Sequence, residues 1–405
     1  MTSSLARSIL PPLSVAEQQH SAAVAARLQE EIVAAGGELS FERFMELALY
    51  APGLGYYSAG STKFGAAGDF VTAPEISDSF SRCVARQCAE VLAHMGAAGM
   101  GTARSGTEIL ELGAGTGRMA ATILEALAVE GVLPDRYAIL EVSADLTQRQ
   151  RERLSVLPVS LRDRVVWLDR LPERAFSGVI LANEVLDALP CQRFVVGTDG
   201  ILESGVALAP DAGSFVERVV APEAALAAAA TALLRELPEP LPAGYSSEIC
   251  LRVGPWVAGV GACLGRGLML LFDYGLPRSH YYHPQRVSGT LQCHFKQFAH
   301  EDPFINVGVQ DITAWVDFTR VAEAGCASGL DVAGFCTQAA FLLGAGIERW
   351  IAEAEGAVDQ ARRAGEARRL LMPGEMGESF KVMALTRGYE AGLSGFGLQD
   401  LRRSL

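Results

Sequence analysis

Ten consecutive residues carry the clearest chemistry in the chain: Glu108-Ile109-Leu110-Glu111-Leu112-Gly113-Ala114-Gly115-Thr116-Gly117. An apolar run leads straight into three alternating glycines. Glycine turns tightly and lets a ligand lie against bare backbone. Backbone N–H groups where a helix begins bind an anionic group such as a carboxylate. The spacing here is G-x-G-x-G. A dinucleotide loop reads G-x-G-x-x-G, and its third glycine position is taken by Arg118, too large for the close helix–strand contact that glycine provides. An ordinary strand-to-helix turn is the bland alternative; three alternate glycines behind an apolar strand weigh against it.

Two more segments add candidate groups. Tyr137-Ala138-Ile139-Leu140-Glu141-Val142-Ser143 reads as the next strand, and the Glu141 carboxylate can accept both hydroxyl protons of a ribose. Ser143 joins it as a ligand candidate. A nicotinamide enzyme places an acid there too, so Glu141 alone does not discriminate. Glu111, inside the strand before the loop, fits methyltransferases better than NAD enzymes. Gly178 to Pro190 holds a buried strand that delivers Asn183, Glu184 and Asp187 to the carboxyl edge of a sheet, where open α/β folds bind ligands. Acids placed for a helix dipole are the alternative, stronger for Asp187 than for Asn183 and Glu184. At the end of the third strand Asp169, with Trp167 and Leu168, is placed near an adenine by topology alone. Asp69, Thr72 and Glu75 lie in or just after a glycine-containing loop that could close over the site, although an aspartate after glycine also caps turns.

The elements that must position these residues alternate. Strands are expected at 108–112, 137–142, 165–168 and 178–182, with helices at 118–130 and 144–154, the pattern of a parallel sheet. Residues 193–206 read as a hairpin turning at Thr198-Asp199-Gly200. Helices follow at 222–236 and 248–264, a buried strand at 267–273, a helix at 312–324, a strand at 331–337, helical structure over 339–364 and a last strand at 380–386. Residues 275–310 break the pattern and read as a long loop or insertion. His280 and His283 form an isolated His-x-x-His pair with no further ligand at matching spacing, so no metal is expected. Upstream, 14–35 and 40–49 read as helices. The resulting division is an N-terminal helical region with a glycine loop over 1–106, then a catalytic domain over 107–405 with insertions at about 193–245 and 275–310.

Composition bounds the function. The 405 residues are 50% hydrophobic and 20% charged, with a net charge of −13. That suits a globular protein with a large core and disfavours nucleic acid as a partner, which requires a basic surface. The eight cysteines contain no C-x-x-C pair, which points to free thiols in a reducing compartment. No apolar run reaches membrane-spanning length, so no membrane insertion is expected. With neither a secretory signal nor an evident transit peptide, the expected location is the cytoplasm. Oligomeric state, a homodimer among the options, stays open.

Longer blocks resemble a known family: Phe41 to Tyr50, Gly55-Tyr56-Tyr57, Gly68-Asp69-Phe70-Val71-Thr72-Ala73-Pro74-Glu75-Ile76-Ser77, Ala182 to Leu189, Gln310-Asp311-Ile312-Thr313 with Asp317-Phe318, and Met376-Gly377-Glu378-Ser379-Phe380-Lys381-Val382. In this order, over roughly residues 30–390, they resemble the MidA family, which includes a mitochondrial complex I assembly factor that is a protein arginine methyltransferase. The chain departs from the family at Phe295-Lys296-Gln297-Phe298, where relatives carry Tyr and Arg. The resemblance implies an α/β class I methyltransferase fold, Rossmann-like, with a seven-stranded sheet, an N-terminal helical extension and insertions. It implies S-adenosyl-L-methionine as cofactor, and a protein substrate, a respiratory complex subunit in the mitochondrial member. In that setting Gly113, Gly115 and Gly117 hold the aminoacyl end of the donor and Glu141 its ribose. Glu184, then Asp187, with Asn183 beside them, are the catalytic candidates, because carboxylate–guanidinium pairing is strong and directional. The rivals are a non-catalytic assembly chaperone that binds the donor, a methyltransferase acting on a small molecule or RNA, and a nicotinamide oxidoreductase.

Overall fold

The computed structural model describes residues 10–59, 72–98, 106–210 and 213–405. The chain forms two compact units, each gathered from three stretches. One comprises Met1–Phe70, Leu186–Val253 and Pro277–Trp315; the other comprises Val71–Val185, Gly254–Leu276 and Val316–Leu405. This differs from a linear division at 106/107: the segments expected as insertions join the N-terminal residues in a unit of their own. Strands are numbered β1 to β16 along the chain.

The unit that holds the glycine loop is built on β2 (Thr107–Leu112), β3 (Arg136–Leu140), β4 (Val165–Leu168), β5 (Phe176–Asn183), β10 (Leu264–Leu276), β15 (Asp331–Thr337) and β16 (Phe380–Arg387). These seven run in the order β15-β16-β10-β5-β2-β3-β4, and the two-residue β14 (Val316–Asp317) pairs with the end of β10. Neighbours from β10 to β4 are parallel, while β16 is antiparallel to β10. Helices Arg118–Val129 and Ala144–Ser155 connect β2 to β3 and β3 to β4, as parallel pairing requires. Chain order reverses between β2 and β5, the switch point at which open α/β sheets take ligands. Helices cover the sheet, so its strands read as apolar runs; Ile109, Leu110, Val179, Ile180 and Leu181 are all fully buried.

Two glycines set how closely the central strands approach. Gly178 on β5 and Gly267 on β10 face each other in register, with φ of +153° and +133°. A Cβ on Gly178 would lie 1.8 Å from the Glu108 carbonyl oxygen, and one on Gly267 2.0 Å from that of Gly178. Only glycine fits either place.

The other unit has an antiparallel sheet of β1 (Glu38–Ser40), β6 (Gln192–Val196), β7 (Ile201–Leu208), β8 (Phe215–Val220) and β9 (Ser246–Ile249). Its order is β1-β7-β6-β9, with β8 also on β7. A small second sheet orders β12 (Phe298–His300), β11 (Gln292–Phe295) and β13 (Asp311–Thr313). The helix Val15–Ala34 starts with a capping box between Ser14 and Glu17 and buries Val24, Leu28 and Ile32, a stripe spaced four residues apart. Phe44, from helix Phe41–Tyr50, meets Phe215 and Phe304 edge-on at 5.6 and 5.5 Å.

The 193–206 hairpin forms as expected, pairing Phe194 with Glu203. Other expectations need correction. The helix expected from 248 begins at Val253, because Ser246–Ile249 is strand β9 paired with β6; Glu248 is buried there, a polar residue the apolar pattern cannot place. The helix expected at 312–324 is Phe318–Ala327, started by Asp317, whose Oδ1 accepts from Arg320 N–H at 3.2 Å. Residues 275–310 are not one loop but contain a short helix and the β11–β12 hairpin, whose turn residues Lys296 and Gln297 have φ of 48° and 68°, values suited to a type I′ turn. Among the described residues no helix is long and apolar enough to cross a membrane.

Candidate active site

The glycine loop leaves β2 at Leu112 and enters helix Arg118–Val129. Gly113, Gly115 and Gly117 have φ of +64°, +53° and +78°, a region that L side chains enter only at a cost. Gly113 N–H donates to Leu140 O at 3.0 Å and Gly117 N–H to Ala114 O at 2.8 Å, which pins the loop beside the end of β3. A Cβ on Gly115 would meet nothing within 4 Å, so the loop presents bare backbone to open space. Gly117 is the helix N-cap and supplies no side-chain cap, which leaves helix-start N–H groups to an anionic ligand. Arg118 does not press on the strand; it reaches Asp78 Oδ1 at 3.0 Å and Glu75 O at 2.7 Å. Thr116 of the loop donates to the Glu75 carboxylate, so the residue expected to close over the site does meet the loop. Thr72 is buried at the start of helix Ala73–Ile76. Asp69 lies outside the described residues.

Glu111 is 1% exposed, and its Oε2 accepts from Tyr137 O–H at 2.7 Å. Burial pushes its carboxyl up to about 7, Glu141 adds to the rise, and the Tyr137 hydrogen bond opposes it. Glu111 therefore stands behind the loop, locking β2 to β3, rather than on an open surface. Glu141 sits one residue past the end of β3. Its Oε1 accepts from Ser143 N–H at 2.9 Å and its Oε2 from Gln150 Nε2 at 3.0 Å. Ser143 is fully buried and caps helix Ala144–Ser155, accepting from Leu146 N–H at 3.4 Å; its hydroxyl is engaged in the fold. Trp167 donates from Nε1 to Gln150 Oε1 at 3.0 Å, and the Arg151 guanidinium lies 5.2 Å from its ring centre. Asp169 follows the end of β4 and is exposed.

At the tip of β5, Asn183 Nδ2 donates to Glu184 Oε1 at 3.0 Å, and Glu184 N–H donates to Phe272 O at 2.9 Å. Glu184 has φ of +54°, a strained conformation for a side chain of this kind, and such strain gathers at functional sites. The buried Asn183 Oδ1 has no hydrogen-bond partner among the described residues, and an orphaned acceptor of this kind calls for a donor group. Asp187 is 6% exposed and belongs to the other unit. Its carbonyl accepts from Ala314 N–H at 3.0 Å, while the neighbouring Tyr50 donates to Ala188 O at 2.9 Å. The structure thus gathers Gly113, Gly115, Gly117, Glu141 and Trp167 around one loop and sets Asn183 and Glu184 on the adjoining strand; Asp187, three residues on, is grouped with the other unit. In the second unit His300 Nδ1 accepts from Asp302 N–H, and Asp302 Oδ1 from Phe304 N–H; both residues hold a turn.

Sequence reading passed over Gln150. It lies among Gln148, Arg149, Arg151 and Glu152, and nothing in that polar helix marks it out, yet it is the residue of that run that is fully buried.

Comparison with known proteins identifies the family. The family described as "Putative S-adenosyl-L-methionine-dependent methyltransferase" matches residues 83–336. The structure superposes with a TM-score of 0.90 on a Burkholderia thailandensis protein crystallised with S-adenosyl-homocysteine, at 42% identity over 98% of this chain and 100% of that one. Among curated proteins, the mitochondrial protein arginine methyltransferase NDUFAF7 of Danio rerio is 27% identical over 87% of this chain and 84% of its own length. The Drosophila melanogaster homologue, also mitochondrial, is 28% identical over 93% and 87%. These relatives overturn the expected cytoplasmic location, which rested only on not recognising a leader; an acidic N-terminal helix is no evidence about compartment. The chain belongs to this family of S-adenosyl-L-methionine-dependent methyltransferases, the MidA-like family that its motifs resemble.

Proposed function

We propose that the protein transfers the methyl group of S-adenosyl-L-methionine to a side-chain nitrogen of an arginine in a protein substrate, with a respiratory complex subunit as the first acceptor to try. The observation that carries the reading is Glu184, a carboxylate held in a strained backbone conformation at the tip of β5 and oriented by Asn183. The arginine methyltransferase relatives support the same acceptor. In this reading Gly113, Gly115 and Gly117 take the aminoacyl end of the donor and Glu141 its ribose, while Asn183 Oδ1 receives a donor hydrogen. The residues present fit that ligand: a bare loop surface, uncapped helix N–H groups for a carboxylate, and an unsatisfied acceptor.

The bound donor supplies a methyl group already activated on a sulfonium, so the chain's own work is positioning. Glu184 accepts N–H bonds from the guanidinium and favours a lone pair on the nitrogen that attacks. Transfer would form the N–C bond and break the donor's C–S bond, the pair staying on sulfur, and the proton shed by the nitrogen would pass to the Glu184 carboxylate or by way of it to water. Glu184 is the group placed to stabilise the cationic product before that release. Glu184 is proposed for this role ahead of Asp187 because of its strained backbone at the strand tip.

Incubation with isotopically labelled donor and a cell lysate, followed by mass spectrometry, tests the acceptor. Label on arginine of a protein band is expected. Label confined to small molecules would exclude the arginine reading and leave a small-molecule methyltransferase. Glu184→Gln should lower transfer by about a hundredfold with donor affinity unchanged; an equal loss of affinity would move Glu184 into the donor seat.

A further inference from the structure

We infer that Gln150 is a positioning residue for the methyl donor: one buried amide that fixes the glycine loop, the Glu141 carboxylate and the Trp167 indole relative to one another. The inference rests on reading the loop and Glu141 as the donor seat. Gln150 is 0% exposed in the middle of helix Ala144–Ser155. Its Nε2 donates to Gly115 O and to Glu141 Oε2, both at 3.0 Å, and its Oε1 accepts from Trp167 Nε1 at 3.0 Å. The three partners come from three successive segments: the loop after β2, the end of β3 and the strand β4.

The chemistry of the partners fixes the amide's orientation. A carbonyl and a carboxylate only accept, and an indole N–H only donates. Turning the amide over would set oxygen against both acceptors and nitrogen against the indole N–H, losing all three bonds. No other neutral side chain of this length offers two donors and an acceptor in one plane. The third glycine of the loop serves the same arrangement: a Cβ on Gly117 would stand 3.3 Å from Gln150 Cα and from its Cγ. Gly117 thus lets the helix come near enough for Gln150 to reach Gly115, which gives this G-x-G-x-G spacing a reason that an anion-binding turn alone does not require.

Two groups that would face the donor are therefore held by a residue that need not touch it. The Gly115 carbonyl sets the plane of the loop's middle peptide. Glu141, held at Oε2 by the amide, is fixed in orientation, so a ribose meets a preorganised carboxylate rather than a mobile one.

The test compares the unsubstituted chain with Gln150→Leu and Gln150→Glu by calorimetric titration with S-adenosyl-homocysteine from pH 5.5 to 8, alongside thermal melting. Gln150→Leu keeps the volume and removes every bond; its Kd should rise by about tenfold or more. Gln150→Glu sets a second carboxylate against Glu141. Like charges at that distance share a proton, so this variant should bind poorly at pH 8 and regain affinity on acidification relative to the unsubstituted chain. A purely structural role predicts a lower melting temperature, with the Kd of the folded protein unmoved and no added pH dependence. If Gln150→Leu does not fold, the pH profile of Gln150→Glu decides alone. Binding that is normal in both variants overturns the assignment of Gln150 and leaves the donor seat standing. Failure of the unsubstituted chain to bind overturns the donor-seat reading, and the assignment with it.

Discussion

Each unit buries a glutamate almost completely, and the two are satisfied by opposite means. Glu111, between β2 and β3, is 1% exposed and has one neutral partner, the Tyr137 hydroxyl. Glu248, on β9 of the other unit, is equally buried but faces the Arg193 guanidinium at 3.6 Å and accepts from Thr290 N–H and Oγ1 at 2.8 and 3.2 Å. Burial raises both carboxyls; at Glu248 the guanidinium and the Thr290 bonds pull back against it, while Glu111 is left titrating at about 7. One unit thus sets a guanidinium against its buried carboxyl. The other holds a group that changes charge near neutral pH beside the proposed donor loop. The contrast shows how the partners of a buried carboxyl act on its titration beside its depth.

Substitutions can break or sharpen this comparison, and the largest effect is expected from backbone. Gly178→Ala, which forces a Cβ onto the Glu108 carbonyl, should cost about 4 kcal/mol or prevent folding of that unit. Gly200→Ala, in the β6–β7 turn with φ of +146° and nothing within 4 Å, should cost far less in a denaturant titration. Next comes the ion pair: Arg193→Leu strands a buried carboxylate and should cost about 3 kcal/mol, measured by chemical denaturation at pH 7. Replacing both Arg193 and Glu248 with apolar residues should recover much of that loss.

A smaller effect of opposite sign is expected at Glu111. Its folded pKa of about 7 stands above the ordinary 4.5, so the native state holds the proton longer than the unfolded chain does. Its contribution to stability is full below about pH 4.5, falls as pH rises through 7 and stays low beyond. Glu111→Gln should flatten that fall and raise the melting temperature at pH 8. His294, in the other unit, behaves in the reverse sense. Burial lowers it from 6.5 to about 4, and His300 adds to the shift. The unfolded chain protonates first, so stability is full above 6.5 and is lost as pH falls toward 4. Hydrogen exchange followed across pH should show protection of β2 and β5 weakening between 4.5 and 7, and protection of β11 strengthening over 4 to 6.5. Matching trends in both units would refute this division.

The same contrast governs what could be read from sequence. The β2-loop-helix unit, β3, β5 and the middle of β10 were legible because parallel strands buried on both faces appear as short apolar runs between helices and glycines. Gly113, Gly115, Gly117, Glu141 and Asn183-Glu184 follow from that frame, since they sit where such strands end. The second unit was legible only in part: helices Val15–Ala34, Phe41–Tyr50 and Ala224–Glu236 and the β6–β7 hairpin could be read, while β9 and the β11–β13 sheet could not. Its strands carry Ser246, Ser247 and Glu248 or Gln292 and His294 in the ladder, and its pieces come from three separated stretches whose pairing only tertiary contact sets. Ser143 shows the limit at residue level: its N–H donates to Glu141, yet its hydroxyl caps a helix. Gln150 shows the converse, a buried amide inside a run of surface-type residues, invisible to any periodicity. Glu111 was found as an acid before the loop, but its burial behind the sheet needed Tyr137 to be seen.

The most direct test is a crystal of this chain grown with S-adenosyl-homocysteine. The account predicts density with the ribose hydroxyls on Glu141 and the carboxylate along Gly113 to Gly117, next to Asn183. Density seated elsewhere in the molecule, with that loop unliganded, would contradict it.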